Sequence, residues 1–357
     1  MASHIEFARN VSINEACALV RHVGDKATVL IEGHMGSGKS TLIRMLKEQL
    51  PDHITAYFDM TNLDLGDLML PAVQHEHRET EFYPNALFGM RHNKPGIYMF
   101  DELGKAARPV QNACLPILLE RRVGLQRLVP GSLVFATTNL GSEGVGDMLQ
   151  SHARNRMVVI NMRKPTADEW IEQFAVGAGI MPEVIAWARE TPQVFHGFED
   201  VEKPEDNPYI FHPKAQRTAF VTPRSLEKAS DVLKVRQHLE EDTVIHALKG
   251  TVGERAALDL RSFVQLADKL PAWKTIMADP KGCPVPTNPA AVVMLVFTAV
   301  SRIEADTVST WMDYLARIPK EAQALFCHHA MKAPGKATLV STNKKFTEYA
   351  IRHQYMY

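Results

Sequence analysis

The sequence predicts an α/β fold, in which a parallel β-sheet is wrapped by helices and followed by a largely helical region. Three observations carry that reading. Short β-branched and apolar runs alternate with helical patterns in the first half of the chain. A glycine-rich turn joins the first of these runs to a helix, and strand signals fade after Lys164-Pro165.

The first strand is Thr28-Val29-Leu30-Ile31-Glu32, and it ends at a glycine cluster. Residues 41–50 follow with Leu42, Ile43, Leu46 and Leu50 at helical spacing, until Pro51 stops the helix. Apolar runs at 54–60, 96–100, 132–138 and 157–160, each bounded by polar or turn residues, supply the remaining strands. Residues 61–95, between the second and third strands, are too many for an ordinary connection and predict an insertion. A boundary falls near Pro165, so 1–165 forms one domain and helices dominate 166–357, starting at Asp168-Glu169-Trp170. Within that part, 196–213 is polar, holds Pro and Asn, and reads as a long exposed loop. The apolar stretch 290–300 falls short of the ~20 residues that span a membrane, so it reads as a buried helix.

A chain of 357 residues with 45% hydrophobic and 23% charged residues can bury a substantial core. Lys plus Arg number 40 against 41 Asp plus Glu, which gives no global basic field for nucleic acid or an anionic membrane. Cys17, Cys114, Cys283 and Cys327 lack C-x-x-C spacing, so the expectation is reduced thiols in the cytoplasm rather than a zinc site or a disulfide framework. The opening residues show no basic segment followed by an apolar stretch, hence no visible secretory leader.

The segment Gly33-His34-Met35-Gly36-Ser37-Gly38-Lys39-Ser40-Thr41 satisfies G-x-x-x-x-G-K-[ST] and lies between a strand and a helix, the context that this phosphate-binding loop needs. Glycines let successive N–H groups converge on phosphate oxygens, and the helix that follows adds its positive end. Lys39 is expected on the β- and γ-phosphates of ATP, and the Ser40 hydroxyl on Mg2+. The buried-looking run Ile97-Tyr98-Met99-Phe100 ends in Asp101-Glu102. Asp101 is placed to hold magnesium through water, and Glu102 to orient or deprotonate the attacking water. Asn139, at the tip of the 132–138 run, is a candidate to hold that water beside the glutamate.

With these residues in hand, the chain resembles the AAA+ ATPases and, within them, the MoxR-like group. The resemblance rests on 33–41, on Asp101-Glu102-Leu103-Gly104-Lys105 with Gln111 and Leu118 to Gly124 downstream, on Ala136-Thr137-Thr138-Asn139, on Arg154-Asn155-Arg156, and on Thr222-Pro223-Arg224. It spans residues 28–230. It implies a five-stranded core with an insertion before the Asp101 strand, a helical lid (166–268), and a ring, usually a hexamer. The C-terminal helical region 269–357 is read from pattern alone. By the same resemblance Asn139 is the sensor 1 residue, Arg156 the arginine finger reaching into a neighbour's site with Arg154 as its alternative, and Arg224 the sensor 2 residue. Thr222 and Pro223 suit a helix start, and Leu226, Ala229 and Leu233 its buried stripe. Phe82, Tyr83 and Phe88 of the insertion either face a central pore or pack it against the core. Leu103-Gly104-Lys105 stands where MoxR-like proteins have Ile-Asn-Arg.

The function this implies is ATP hydrolysis coupled to remodelling or maturation of a protein partner, with a von Willebrand factor A domain protein as the partner class. Two other readings stay open. One is a P-loop kinase or phosphotransferase acting on a small molecule. The other is a nucleic-acid-remodelling ATPase, which the neutral charge disfavours.

Overall fold

The computed structural model describes residues 10–139, 149 and 151–353, so the opening residues read for a leader lie outside it. The chain divides into two compact units, Met1–Lys164 and Pro165–Tyr357.

In the first unit the strands β1 (Val29–Gly33), β2 (Ile54–Asp59), β5 (Gly96–Asp101), β8 (Leu133–Thr138) and β9 (Val158–Met162) form one sheet. Its order is β2-β5-β8-β1-β9 and every pairing is parallel. This is the expected fold. The three central strands are apolar on both faces because helices cover both sides, whereas β2 alternates, as suits an edge. Period-two alternation sends Val29 and Ile31 one way and Leu30 the other. The former pack with Ala16, Cys17 and Val20 of α1 (Ile13–Val23) and with Leu42 and Leu46 of α2 (Leu42–Gln49). Leu30 packs with Tyr98, Phe100 and Val134. Behind them lie Val110, Cys114 and Ile117 of α4 (Arg108–Glu120) and Ala153 of α5 (Ser151–Arg154).

The insertion is an antiparallel hairpin. A short turn α3 (Leu65–Leu68) leads into β3 (Met69–Gln74) and β4 (Glu79–Pro84). Phe82 and Tyr83 are exposed on the hairpin, but Phe88 just beyond it is buried with its ring 4.7 Å from that of Phe58. Of the three aromatics, Phe88 packs the insertion against the core, whereas Phe82 and Tyr83 are exposed. A two-residue pair, β6 (Arg122–Val123) and β7 (Gln126–Arg127), precedes β8.

The second unit is helical: α6 (Ala167–Trp170), α7 (Pro182–Glu190), α8 (Pro223–Lys234), α9 (Glu241–Val252), α10 (Glu254–Ala267), α11 (Trp273–Ala278), α12 (Pro289–Arg302), α13 (Val308–Leu315), α14 (Lys320–Lys332), α15 (Ala337–Ser341) and α16 (Lys344–Arg352). It holds two apolar clusters, one around Trp170 and Trp187, the other around Trp311 and Phe326. Helix α12 serves both, giving Val293, Met294 and Phe297 to the first and Val292, Leu295 and Val296 to the second. A helix buried on all sides has to be apolar all round, which explains the run 290–300. Among the described residues no helix is long and apolar enough to cross a membrane.

The segment 196–213 departs from expectation in its later part. Residues 196–206 are exposed or half-buried, as expected, but Asn207, Tyr209, Ile210 and His212 are buried. The Arg217 guanidinium explains how irregular backbone can be covered: Nη1 donates to the carbonyls of Asn207 (2.8 Å) and Ile210 (2.5 Å), and Nη2 to that of Pro204. Carbonyls that would otherwise need water are satisfied internally.

Candidate functional site

Strand β1 lies between β8 and β9, whereas the chain leaves it for β2 at the far edge. Loop 33–41 therefore opens at the sheet's topological switch point, beyond the carboxyl ends of the strands, where open α/β sheets place their ligands. Gly33 is needed there because a Cβ would stand 2.7 Å from the Met162 carbonyl of β9. Gly38 has φ 94°, a left-handed conformation that a side chain rarely adopts, and it delivers Lys39, Ser40 and Thr41 into a 3-10 turn that runs into α2. His34, Met35 and Gly36 form the half-buried crest between them.

The loop is arranged for an anion. Ser37 is buried, and among the described residues its hydroxyl has no hydrogen-bond partner, a donor that the protein itself does not use. The turn's backbone N–H groups and the helix start add positive potential. Lys39 is buried, with its ammonium donating to the carbonyls of Gly33 (2.6 Å) and His34 (2.9 Å) and to Asn139 Oδ1 (2.9 Å).

Asn139 is buried too, and its other amide atom, Nδ2, donates to Glu102 Oε2 at 3.1 Å. One carboxamide thus joins the loop lysine to the glutamate. Glu102 itself has φ 58°, where a non-glycine residue is strained, and it turns the chain away from β5. Its carboxylate also pairs with Lys105 at 2.8 Å.

Asp101 is buried, and its two oxygens are used separately. Oδ2 accepts from Ser40 Oγ (3.3 Å) and from the Tyr57 hydroxyl (2.7 Å), while Oδ1 accepts from Thr137 Oγ1. A hydroxyl and a carboxylate oxygen side by side are a donor set that suits magnesium, which takes one or two carboxylates and keeps much of its water. Thr137 Oγ1 also accepts the Glu102 N–H at 3.3 Å, so one side chain fixes both members of the acidic pair.

The structure thus brings Lys39, Ser40, Asp101, Glu102 and Asn139 together. Arg156 is exposed and pairs with no carboxylate among the described residues. Arg154 makes a two-pronged ion pair with Glu32, with Nη2 3.1 Å from Oε2, and these bonds raise it above the ordinary guanidinium value. In the second unit, Arg224 is exposed in the first turn of α8, which is started by reciprocal bonds between Thr222 and Ser225.

Three participants escaped the sequence reading. Thr137 had a signal, since it lies two residues before Asn139 and strand alternation puts both on one side. Glu32 had a weaker one, a carboxylate ending a buried strand. Tyr57 had none, because an aromatic on a strand reads as packing.

Residues 28–159 match the family model of the AAA domain, dynein-related subfamily, which supports an AAA+ ATPase domain over that segment. A curated relative, the ATP-dependent protease ATP-binding subunit-like protein of Rhodococcus erythropolis, is 28% identical over 189 residues, 46% of this chain and 51% of that one. The chain therefore spans about half the length of that relative. Among solved structures, a putative ATPase from Cytophaga hutchinsonii is 12% identical with a TM-score of 0.35, covering 71% of this chain and 88% of that one. The RuvB Holliday junction branch migration motor of Thermotoga maritima is 18% identical with a TM-score of 0.34, covering 85% and 86%. Likenesses at that level carry no argument about this chain.

Proposed function

We propose that the first unit binds ATP with magnesium and hydrolyses it, as the ATPase core of a ring-forming AAA+ protein of MoxR-like type. One observation supports this most strongly: the unbroken side-chain path from Lys39 through Asn139 to Glu102, with Ser40 and Asp101 beside it. The AAA-domain match over 28–159 and the ATP-binding name of the Rhodococcus relative support the same reading.

In this reading the N–H groups of 33–41 and the Lys39 ammonium receive the phosphates. Ser40 and Asp101 would hold magnesium, which offsets phosphate charge when bound. Glu102 accepts a proton from, or aligns, the attacking water, and Asn139 fixes the carboxylate's position. Arg156 completes a neighbouring subunit's site, and Arg224 acts from a lid formed by 166–268, with 269–357 as a further helical region whose α12 serves both apolar clusters. The neighbour's arginine would raise turnover by roughly 10³ to 10⁵, so fast hydrolysis requires the ring, most simply a hexamer. Hydrolysis would drive remodelling of a protein partner. The partner class that goes with the MoxR-like resemblance is a von Willebrand factor A domain protein, which co-purification tests.

The decisive comparison is wild type against Glu102→Gln, with nucleotide affinity and phosphate release measured separately and mass determined with ATP present. Glu102→Gln should bind ATP as tightly as wild type and release phosphate at least about a hundredfold more slowly, the scale of a general base. Wild-type release by Glu102→Gln, or a wild-type chain with no affinity for ATP and magnesium, refutes the reading.

A further inference from the structure

Lys105 is a charged group beside Glu102 that the proposed chemistry does not use. The Lys105 ammonium stands 2.8 Å from Glu102 Oε2, the same oxygen that receives Asn139 Nδ2 at 3.1 Å. A hydrogen bond and an ion pair from different elements therefore converge on one carboxylate oxygen. Oε1 is left as the oxygen without a protein donor among the described residues, and a carboxylate so held presents that edge to a water.

The backbone makes this pairing a fixed feature and not a chance meeting of surface side chains. Leu103, Gly104 and Lys105 form a single 3-10 turn with Glu102 as its N-cap, closed by the Lys105 N–H donating to the Glu102 carbonyl at 2.8 Å. Glu102 caps that turn in the left-handed conformation (φ 58°), and its ion pair with Lys105 spans the turn from i to i+3. The turn is anchored at its centre and at its exit. Leu103 is fully buried. The buried Gln111 amide on α4 donates to the Gly104 carbonyl at 3.4 Å and to the Ala106 carbonyl at 3.0 Å. Lys105 is itself only about one-quarter exposed, with a side-chain value of 25% against 22% for Glu102, so solvent does not dominate the pair.

A competing acid is present. Asp59 at the end of β2 carries a carboxyl held below its ordinary range, first by the Thr61 hydroxyl and, more weakly and against burial, by the charge of Lys105. Its oxygens are already engaged by Thr61 and Asn62, which leaves the lysine to Glu102. Asp59 thus faces Lys105 without displacing it.

We infer that Lys105 is a positioning residue for ATP hydrolysis: with Asn139 it clamps one oxygen of Glu102, so that the other is aimed at the attacking water. The inference rests on the role proposed for Glu102. With Gly104 in the middle position, the turn packs into the core beside Gln111 while a cation is retained at its third position.

The test is steady-state and single-turnover ATP hydrolysis by the full chain, with Lys105→Met, Lys105→Arg, Glu102→Gln and the double variant Lys105→Met/Glu102→Gln compared with wild type. Lys105→Met keeps the length of the side chain and removes the charge. Misplacing a catalytic group by about an ångström costs on the order of a hundredfold, so kcat of Lys105→Met should fall by about tenfold to a hundredfold. KM for ATP and the affinity for ADP should stay within about twofold, because Lys105 touches no part of the proposed phosphate site. Lys105→Arg should recover most of the rate, and the double variant should be no slower than Glu102→Gln alone, since residues that act as a unit are not additive. If Lys105→Met melts far below wild type, Lys105→Gln replaces it with the same expectations. A wild-type kcat in the charge-free variant, a rise in KM with kcat unchanged, or a double variant slower than Glu102→Gln each overturns the inference. Those results leave the role of Glu102 intact. A Glu102→Gln chain that hydrolyses normally removes the underlying reading instead.

Discussion

Arg154 grips Glu32 with both terminal nitrogens of its guanidinium, tying α5 to the residue that immediately precedes Gly33. The two arginines of Arg154-Asn155-Arg156 are therefore not equivalent. Arg154 is committed within its own chain, beside loop 33–41, whereas Arg156, two residues on, is exposed. Arg156→Ala should bind ATP like wild type and lose turnover by about 10³-fold, the scale of a finger supplied by a neighbour. Arg154→Met and Glu32→Gln should resemble each other, each costing about 1 to 3 kcal/mol because one partly buried charge loses its counterpart. Turnover of each variant and its chemical denaturation midpoint check this. If turnover is lost in Arg154→Met and kept in Arg156→Ala, the two roles are reversed.

Thr137 gives a second prediction, because its single hydroxyl donates to Asp101 Oδ1 and accepts the Glu102 N–H. Thr137→Val keeps the shape and removes both bonds. A buried group left without its partner costs about 1 to 3 kcal/mol. Loss of a group that orients a metal-binding carboxylate typically weakens the metal by about 10- to 100-fold. The magnesium concentration for half-maximal hydrolysis should rise on that scale in Thr137→Val and stay near wild type in Thr137→Ser. A magnesium titration at fixed ATP decides it.

The aromatics of the insertion supply a third. Phe88 is fully buried against Phe58 and Tyr98, and the Tyr98 hydroxyl donates to its carbonyl at 2.9 Å. Phe88→Ala should cost about 3 to 5 kcal/mol, the usual range for an aromatic removed from a core. Phe82 is 46% exposed, and Phe82→Ala should change stability by no more than about 0.5 kcal/mol. Urea denaturation of the two variants distinguishes them; equal losses would show that the hairpin packs more tightly than its exposure implies.

The contrast between Phe82 and Phe88 also shows where sequence reasoning reaches its limit. The five strands and the glycine-rich loop 33–41 were legible because each is a local pattern: an apolar run with turn residues at its ends, and glycines at fixed spacing before a helix. The side chains that join those elements were not. Tyr57 reaches Asp101 from the neighbouring strand, and Arg154 reaches Glu32 across 122 positions. Such pairs depend on sheet order and register, which no window of sequence contains. The segment 196–213 misled for a related reason. Its composition is that of a surface loop, but Arg217 just beyond it satisfies carbonyls of its later part and lets Tyr209 and Ile210 sink into the unit. The Asp101-Glu102 pair sits between these cases, since its position at a strand end was readable and its partners were not.

The last prediction concerns the helical unit and acid. His329 on α14 is buried with its ring 5.0 Å from that of Phe297, and burial, reinforced by the neighbouring His328, pushes it down to about 4 from an ordinary 6.5. His328 is itself paired with Glu172 at 2.5 Å, and Lys332 reaches the other oxygen of that carboxylate at 2.9 Å; Arg189 adds a further positive charge nearby. In the folded unit His329 therefore stays neutral down to about pH 4, whereas in the unfolded chain it takes a proton near pH 6.5. Between those values the unfolded state binds more protons, so stability falls as pH falls. The contribution is fully present above pH 6.5, declines through the window, and reaches a loss of about 3 kcal/mol below pH 4. His329→Leu, which cannot take a proton, should flatten that part of the profile: its melting temperature should drop less than that of wild type between pH 7 and about pH 5. Parallel slopes for the two proteins across that interval would mean that His329 is not the group whose protonation is linked to unfolding there.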